Sequence, residues 1–199
     1  MTFADTARIG PNAVLQHLPV LDAAIGERLR AALLHRADVA EPPADSGMLP
    51  QDQVARLHRA VRLYLPDRAP AIQRAAGLAT GDYILAHRIP RRAQALIRAL
   101  PAWAGARLLA KAIAKHAWTF AGSGRFRVVS HRPLTFEIAN NPLAGALGAE
   151  ADIEPPNVCD WHAAVFERLF SVLVWPSVRV VETDCCASGA PACRFELHP

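Results

Sequence analysis

The hydrophobic pattern of the chain changes at Gly122-Ser123-Gly124, and this change limits the folds that the chain can adopt. Before this point, apolar residues recur every three or four positions, which is typical of helices. After it, β-forming residues alternate or cluster as they do in strands. The sequence therefore predicts an α+β fold, with a helical N-terminal part packed with a four-stranded antiparallel sheet and a long C-terminal helix.

Most of the first 120 residues are expected to be helical, with prolines and a loop separating the helices. The predicted helices are Pro11–Ala37 with a kink at Pro19, Gln51–Leu65, Pro70–His87, Arg92–Leu100 and Ala102–Phe120. A chain of 199 residues suits one core. We expect an N-terminal helical region over 1–65 and a small-molecule-binding domain over 66–199, packed as one compact unit.

The remaining residues predict two strand pairs around the long helix. The predicted strands are Arg125–Ser130, Leu134–Ala139, Ser177–Glu182 and Ala192–Leu197, and the helix is Val158–Val174. Residues 140–156 are expected to form a polar connection.

Composition and charge exclude several kinds of protein. No stretch reaches the roughly 18 consecutive apolar residues that a membrane span needs, and the N-terminus lacks the pattern of a secretory signal. The net charge is only +4, and the basic residues are not interleaved with aromatic ones as in a nucleic-acid groove. We expect a cytoplasmic protein without a nucleic-acid partner.

All four cysteines lie in the last 41 residues, where Glu182 accompanies them. In a reducing compartment, cysteines are more often metal ligands or free thiols than disulfides. Zinc in a structural site takes four ligands at tetrahedral angles, mostly thiolates. The candidate ligands are Cys159, Glu182, Cys185 and Cys193.

Spacing alone leaves alternatives to this zinc site. The cysteines could be small buried hydrophobic residues. Cys186 competes with Cys185 for one position, and His162 lies one helical turn after Cys159 as a substitute ligand. Strand alternation puts Glu182 and Cys185 on opposite faces unless a bulge or turn intervenes.

Several runs of residues together resemble the 4-vinyl reductase domain family, and most closely its members from bacteriochlorophyll biosynthesis. The resemblance covers residues 70–198 well and the N-terminal third more loosely. The runs are Ala76-Gly77, Gly81-Asp82-Tyr83-Ile84-Leu85, Arg88-Ile89-Pro90, 116–124, Asn140-Asn141-Pro142, 159–170, 182–189 and Cys193-Arg194-Phe195.

The resemblance implies a fold like that of the transport-complex subunits that enclose an acyl chain. It also implies a zinc held by Cys159, Glu182, Cys185 and Cys193, since sensor members of the family hold zinc at this relative spacing. This pattern selects Cys185 over Cys186. The ligand implied by the pigment-pathway members is a tetrapyrrole such as a Mg-porphyrin or a protochlorophyllide.

The family name suggests reduction of a vinyl group, but the sequence has no G-x-G-x-x-G between a strand and a helix. Hydride transfer needs such a cofactor, so we expect a carrier rather than an enzyme. Its expected partners are magnesium chelatase and the methyltransferase that follows it, and it could lie at the periphery of the photosynthetic membrane. A vinyl reductase with an unseen reductant, a small-molecule sensor and a homodimer stay open.

A tetrapyrrole carrier needs an apolar slot, basic groups for carboxylates and an axial ligand for magnesium. Ordinary core packing and a solvated basic surface are the competing interpretations of the candidates. The candidates are Trp103, Leu108, Ile113, Trp118, Phe120, Phe126 and Phe136 for the slot, Arg88 and Arg92 for carboxylates, and His116 for magnesium.

Overall fold

The computed structural model describes residues 7–145 and 158–199. Its helices are α1 (Asn12–Leu15), α2 (His17–Ile25), α3 (Glu27–Arg36), α4 (Gln51–Tyr64), α5 (Ala69–His87), α6 (Arg91–Ala99), α7 (Ala102–Lys115), α8 (Trp118–Ala121), α9 (Pro142–Gly145) and α10 (Asp160–Leu173). Its strands are β1 (Arg8–Ile9), β2 (Leu49–Pro50), β3 (Arg125–His131), β4 (Leu134–Ala139), β5 (Arg179–Asp184) and β6 (Ala192–His198).

Strands β3 to β6 form one antiparallel sheet in the order β3-β4-β6-β5. The predicted α+β fold is therefore confirmed, together with the four strands and the long helix α10. The short strands β1 and β2 pair separately near the N-terminus. The connection predicted over 140–156 falls mostly outside the described residues, as does the start of the N-terminal segment.

Helix α10 lies between the sheet and α5, and its aromatic side chains build the centre of the core. The ring of Phe166 lies 5.0 Å from that of Phe136 on β4 and 5.4 Å from that of Phe195 on β6. All three rings are buried. Side chains from both the N-terminal helices and the sheet belong to this one hydrophobic core.

The single helix predicted over Pro11–Ala37 is wrong, because the chain there forms three helices. Pro19 lies in the first turn of α2, where its missing N–H has no intrahelical partner to lose. The break comes instead at Gly26, whose φ of +81° is costly for other residues.

The helix predicted over Ala102–Phe120 is also wrong, since it is interrupted after Lys115. The backbone N–H of His116 bonds to the carbonyl of Ile113 as well as that of Ala112, which tightens the last turn. The hydroxyl of Thr119 then donates to the carbonyl of His116, which competes with helix continuation.

Candidate metal centre

Three different elements bring the predicted metal ligands together. Cys159 caps the N-terminus of α10, Glu182 lies on β5, Cys185 follows that strand, and Cys193 lies on β6. Cys159 is thus the N-cap residue and does not lie in the first turn as its position in the predicted helix implied. The ligand atoms of the four residues all lie within 4.8 Å of one another.

An irregularity in β5 places Glu182 and Cys185 on the same side. The pairing of β5 with β6 shifts register between Glu182 and Asp184, so an extra residue enters the edge strand there. Such a bulge cancels one step of strand alternation. The intervening bulge or turn that the sequence required is therefore present.

The distances within the cluster suit a tetrahedral thiolate site. The sulfur of Cys159 lies 3.5 Å from that of Cys193 and 4.0 Å from that of Cys185, and the last two are 3.9 Å apart. Thiolates about 2.3 Å from a tetrahedral zinc lie roughly 3.8 Å from one another. The three sulfurs are thus spaced as they would be around one ion.

The fourth group, Glu182, is also arranged for a cation. Its Oε2 accepts a hydrogen bond of 2.9 Å from the backbone N–H of Cys159, while its Oε1 is buried without a partner among the described residues. Burial, and then the neighbouring Cys185, raises the pKa of Glu182 to about 8. A carboxylate in this place lacks compensation for its charge, which a bound cation would supply.

The thiol of Cys159 has the same electrostatic problem. Its hydrogen bonds to the sulfurs of Cys185 and Cys193, together with burial, raise its pKa well above the ordinary value of a thiol. Three thiolates cannot share this buried volume without a positive charge among them. The donor set therefore fits a divalent metal of the zinc type.

Asn141 donates hydrogen bonds to two sulfurs of the cluster, and sequence reasoning did not assign it this role. Its Nδ2 lies 3.4 Å from the sulfur of Cys159 and 3.5 Å from that of Cys193, and its side chain is buried. The backbone N–H of Cys186 also donates to the Cys193 sulfur over 3.3 Å. The Asn140-Asn141-Pro142 run was a signal for Asn141, but its spacing gave no link to the cysteines.

Arg62 on α4 is a second residue that the sequence pattern did not single out. Its guanidinium donates to the carbonyls of Leu143 and Val158 over 2.8 and 3.3 Å. Burial lowers the pKa of Arg62, and the charges of Cys159 and Cys185 oppose that shift. A positive charge thus faces the anionic cluster from α4.

Two side chains considered as alternative ligands lie outside the cluster. His162 is buried beside aromatic rings, 4.9 Å from Trp161 and 6.0 Å from Phe195 between ring centroids. Cys186 is half-buried, and its sulfur lies 3.9 Å from the carbonyl oxygen of Ile138. Cys186 also lines a cleft of about 600 Å³ next to the cluster, with Asp52 and Asn140 among the other lining residues.

The predicted tetrapyrrole contacts are divided between the interior and the surface. Ile113 and Phe136 are buried, and Phe120 and Phe126 are half-buried with their rings 5.5 Å apart. The exposed candidates, which the structure does not bring into one slot with these rings, are Trp103, Leu108, Trp118, His116, Arg88 and Arg92.

Most of the sheet, helix α10 and the metal cluster lie within a segment that matches a known domain. Residues 134–199 match the 4-vinyl reductase domain, and all four candidate ligands fall in that range. The chain is 62% identical over 192 residues to the bacteriochlorophyll synthase 23 kDa chain of Cereibacter sphaeroides, covering 96% of this chain and 91% of the relative. The chain belongs to the bacteriochlorophyll synthase 23 kDa chain family.

A second member of the bacteriochlorophyll synthase 23 kDa chain family is similar over nearly the same length. The protein of that name from Rhodobacter capsulatus is 54% identical over 195 residues, covering 98% of this chain and 89% of the relative. Among solved structures, an H-NOX protein from S. oneidensis matches with a TM-score of 0.54 at 10% identity, covering 96% of this chain and 98% of the other. That likeness concerns the fold alone, and it agrees with the α+β architecture.

Proposed function

We propose that this protein is a tetrapyrrole-binding accessory protein of bacteriochlorophyll biosynthesis, which carries Mg-porphyrin or protochlorophyllide intermediates between enzymes. The observation that carries the proposal is the near full-length identity to two proteins named as chains of bacteriochlorophyll synthase. Magnesium chelatase and the methyltransferase that follows it are the proposed donor and acceptor of the pigment.

The cluster of Cys159, Glu182, Cys185 and Cys193 is proposed to hold one structural zinc. Three thiolates and a carboxylate fill the four positions of a tetrahedral site and leave none open for a substrate. The ion would fasten the β5–β6 hairpin to the N-terminus of α10, and its binding free energy would add to that of folding. Pigment binding is then expected elsewhere.

The proposed pigment site lies where α8 meets β3. Phe120 and Phe126 are half-buried there and offer flat apolar surface, while Phe136 lies behind Phe126 with a ring distance of 5.2 Å. His116 is exposed four residues before Phe120 and could bind the magnesium axially. Arg88 and Arg92, exposed at the turn between α5 and α6, are available for the carboxylates.

Titration of the zinc-loaded protein with Mg-protoporphyrin tests the proposal. We expect a saturable shift of the Soret band at one pigment per chain, and an altered shift in His116→Ala. The matched control is His35→Ala, which changes an exposed histidine on α3. Absence of any saturable shift would overturn the carrier proposal.

The same preparation separates carrier from reductase. Incubation with a divinyl pigment and reduced nicotinamide should leave the vinyl group unchanged, whereas pigment transfer to the purified methyltransferase should accelerate. Appearance of a monovinyl product would favour the vinyl reductase and count against a purely carrying role.

A further inference from the structure

The charges of this chain are distributed very unevenly along the sequence. Between Asp82 and Glu137 there is no acidic residue, and this stretch contains ten of the 22 Lys and Arg residues. The rest of the chain holds twelve basic and eighteen acidic residues. The stretch therefore forms a cationic region on a chain whose remainder is anionic.

Much of this cationic stretch is the helical pair α6 and α7, which pack against each other. On α7, Trp103, Arg107, Lys111 and Lys115 recur every four residues and are all exposed. Residues four apart lie on one side of a helix. Arg92 and Leu96 repeat this spacing on α6 and are exposed too. We call these six residues the basic face.

The basic face also exposes large apolar side chains, which is costly in water. Trp103 is 63% exposed and Leu96 56%, and Trp118, just beyond α7, is 59% exposed. The opposite side of α7 buries Leu109 and Ile113 in the core, so these side chains are not needed for packing α7. Exposed aromatic and apolar groups among cations are typical of helices that lie on a bilayer surface.

The cations of the basic face are not used within the described part of the molecule. Arg92, Lys111 and Lys115 form no ion pair with any described residue, and Arg107 stacks over the ring of Trp103 at 5.5 Å. Tryptophan rings and long basic side chains both favour the zone between lipid headgroups and acyl chains. None of the described helices is long and apolar enough to cross a membrane. Contact would therefore be confined to the surface.

We propose that the basic face docks this protein onto a bilayer rich in anionic phospholipid, with α6 and α7 lying along the membrane surface. Charge complementarity selects the partner: the cations meet lipid phosphates while Leu96, Trp103 and Trp118 enter the headgroup zone. The docking does not depend on pigment binding at Phe120 and Phe126.

Flotation of the full-length protein with lipid vesicles tests the proposal. We expect binding to vesicles of phosphatidylglycerol and phosphatidylcholine, release at high salt, and little binding to phosphatidylcholine alone. Lys111→Glu/Lys115→Glu should weaken the binding at least about tenfold. Arg28→Glu/Arg179→Glu makes the same charge change at exposed sites on α3 and β5, and should weaken it far less.

Tryptophan fluorescence identifies the face that binds. A blue shift of the emission is expected when anionic vesicles are added. Trp103→Phe/Trp118→Phe keeps the apolar rings but leaves only Trp161 and Trp175 as emitters, so the shift should vanish while flotation persists. No flotation with anionic vesicles at low salt, or an equal loss in both charge-reversal variants, would overturn the proposal, as would a face that binds an acidic protein and leaves the vesicles unoccupied.

Discussion

A Cβ atom placed on Gly77 of α5 would lie 2.5 Å from the carbonyl oxygen of Trp161 on α10. The two helix backbones therefore touch at this point, where no larger residue leaves enough room. Gly81, one turn later, faces the side chain of Arg168 in the same way, with a Cβ distance of 2.6 Å. Because α10 begins directly after Cys159, this close crossing also positions the first metal ligand.

Gly77→Ala is expected to lower the free energy of unfolding by about 1–3 kcal/mol, because the helices must separate to admit the methyl group. Urea denaturation of the metal-loaded protein measures the change. Gly47→Ala is the control, since a Cβ there meets nothing within 4 Å, and it should be neutral or slightly stabilising. Equal stability of the Gly77 variant and the wild type would mean that the crossing is looser than described.

Much of the fold was accessible from the sequence, because the hydrophobic period differs clearly on the two sides of residue 122. The strands and α4, α5 and α10 were predicted within a few residues. The breaks at Gly26 and His116 were missed, since they depend on backbone torsion and on a local hydrogen bond from Thr119. Apolar periodicity carries no information about either.

The metal cluster was predicted from residue types and from the resemblance, whereas its surroundings were not. Asn141 and Arg62 reach the cluster from distant parts of the sequence, and only the packing of α4 and α9 beside α10 brings them there. The proposed pigment contacts mixed buried and exposed residues, because sequence alone does not tell which side of α7 faces the core.

Cys185→Ser and Cys186→Ser form a matched pair for the metal assignment. Cys185 lies within the cluster and is buried, while Cys186 donates only its backbone N–H to the Cys193 sulfur. Elemental analysis should find one zinc per chain in the wild type and in Cys186→Ser, and clearly less in Cys185→Ser, with a lower melting temperature. Zinc loss from the Cys186 variant alone would reverse the assignment.

Asn141→Leu should weaken zinc binding roughly 10- to 100-fold, since the amide that donates to the sulfurs of Cys159 and Cys193 is lost. Competition with a chromophoric chelator measures the affinity. Asn12→Leu, which removes the acceptor of a side-chain hydrogen bond from Gln16 on α1, should leave the affinity unchanged. A similar loss in both variants would indicate general destabilisation.

The buried His17 predicts that stability falls in acid. Burial lowers the pKa of His17 from 6.5 to about 4 in the folded state, so the unfolded chain binds the proton more readily between these values. Its contribution is complete above pH 6.5 and falls by about 2 kcal/mol by pH 5. Denaturation of His17→Gln should show a shallower decline with pH, whereas His35→Gln, an exposed site, should follow the wild type. An unchanged slope in His17→Gln would contradict the prediction.

Arg62→Met removes the cation that binds the carbonyls of Leu143 and Val158 beside the cluster. Because zinc with three thiolates and a carboxylate keeps a net negative charge, we expect weaker zinc binding and a loss of about 3 kcal/mol in unfolding free energy. Arg56→Met is the control on the same helix: Arg56 also donates to two carbonyls, those of Ala37 and Asp38, but it is exposed. It should cost less than about 1 kcal/mol and leave zinc affinity unchanged. Arg62→Lys retains the charge without the forked donor, so zinc affinity that recovers while stability does not would assign the electrostatic effect to the charge and the folding effect to the two hydrogen bonds.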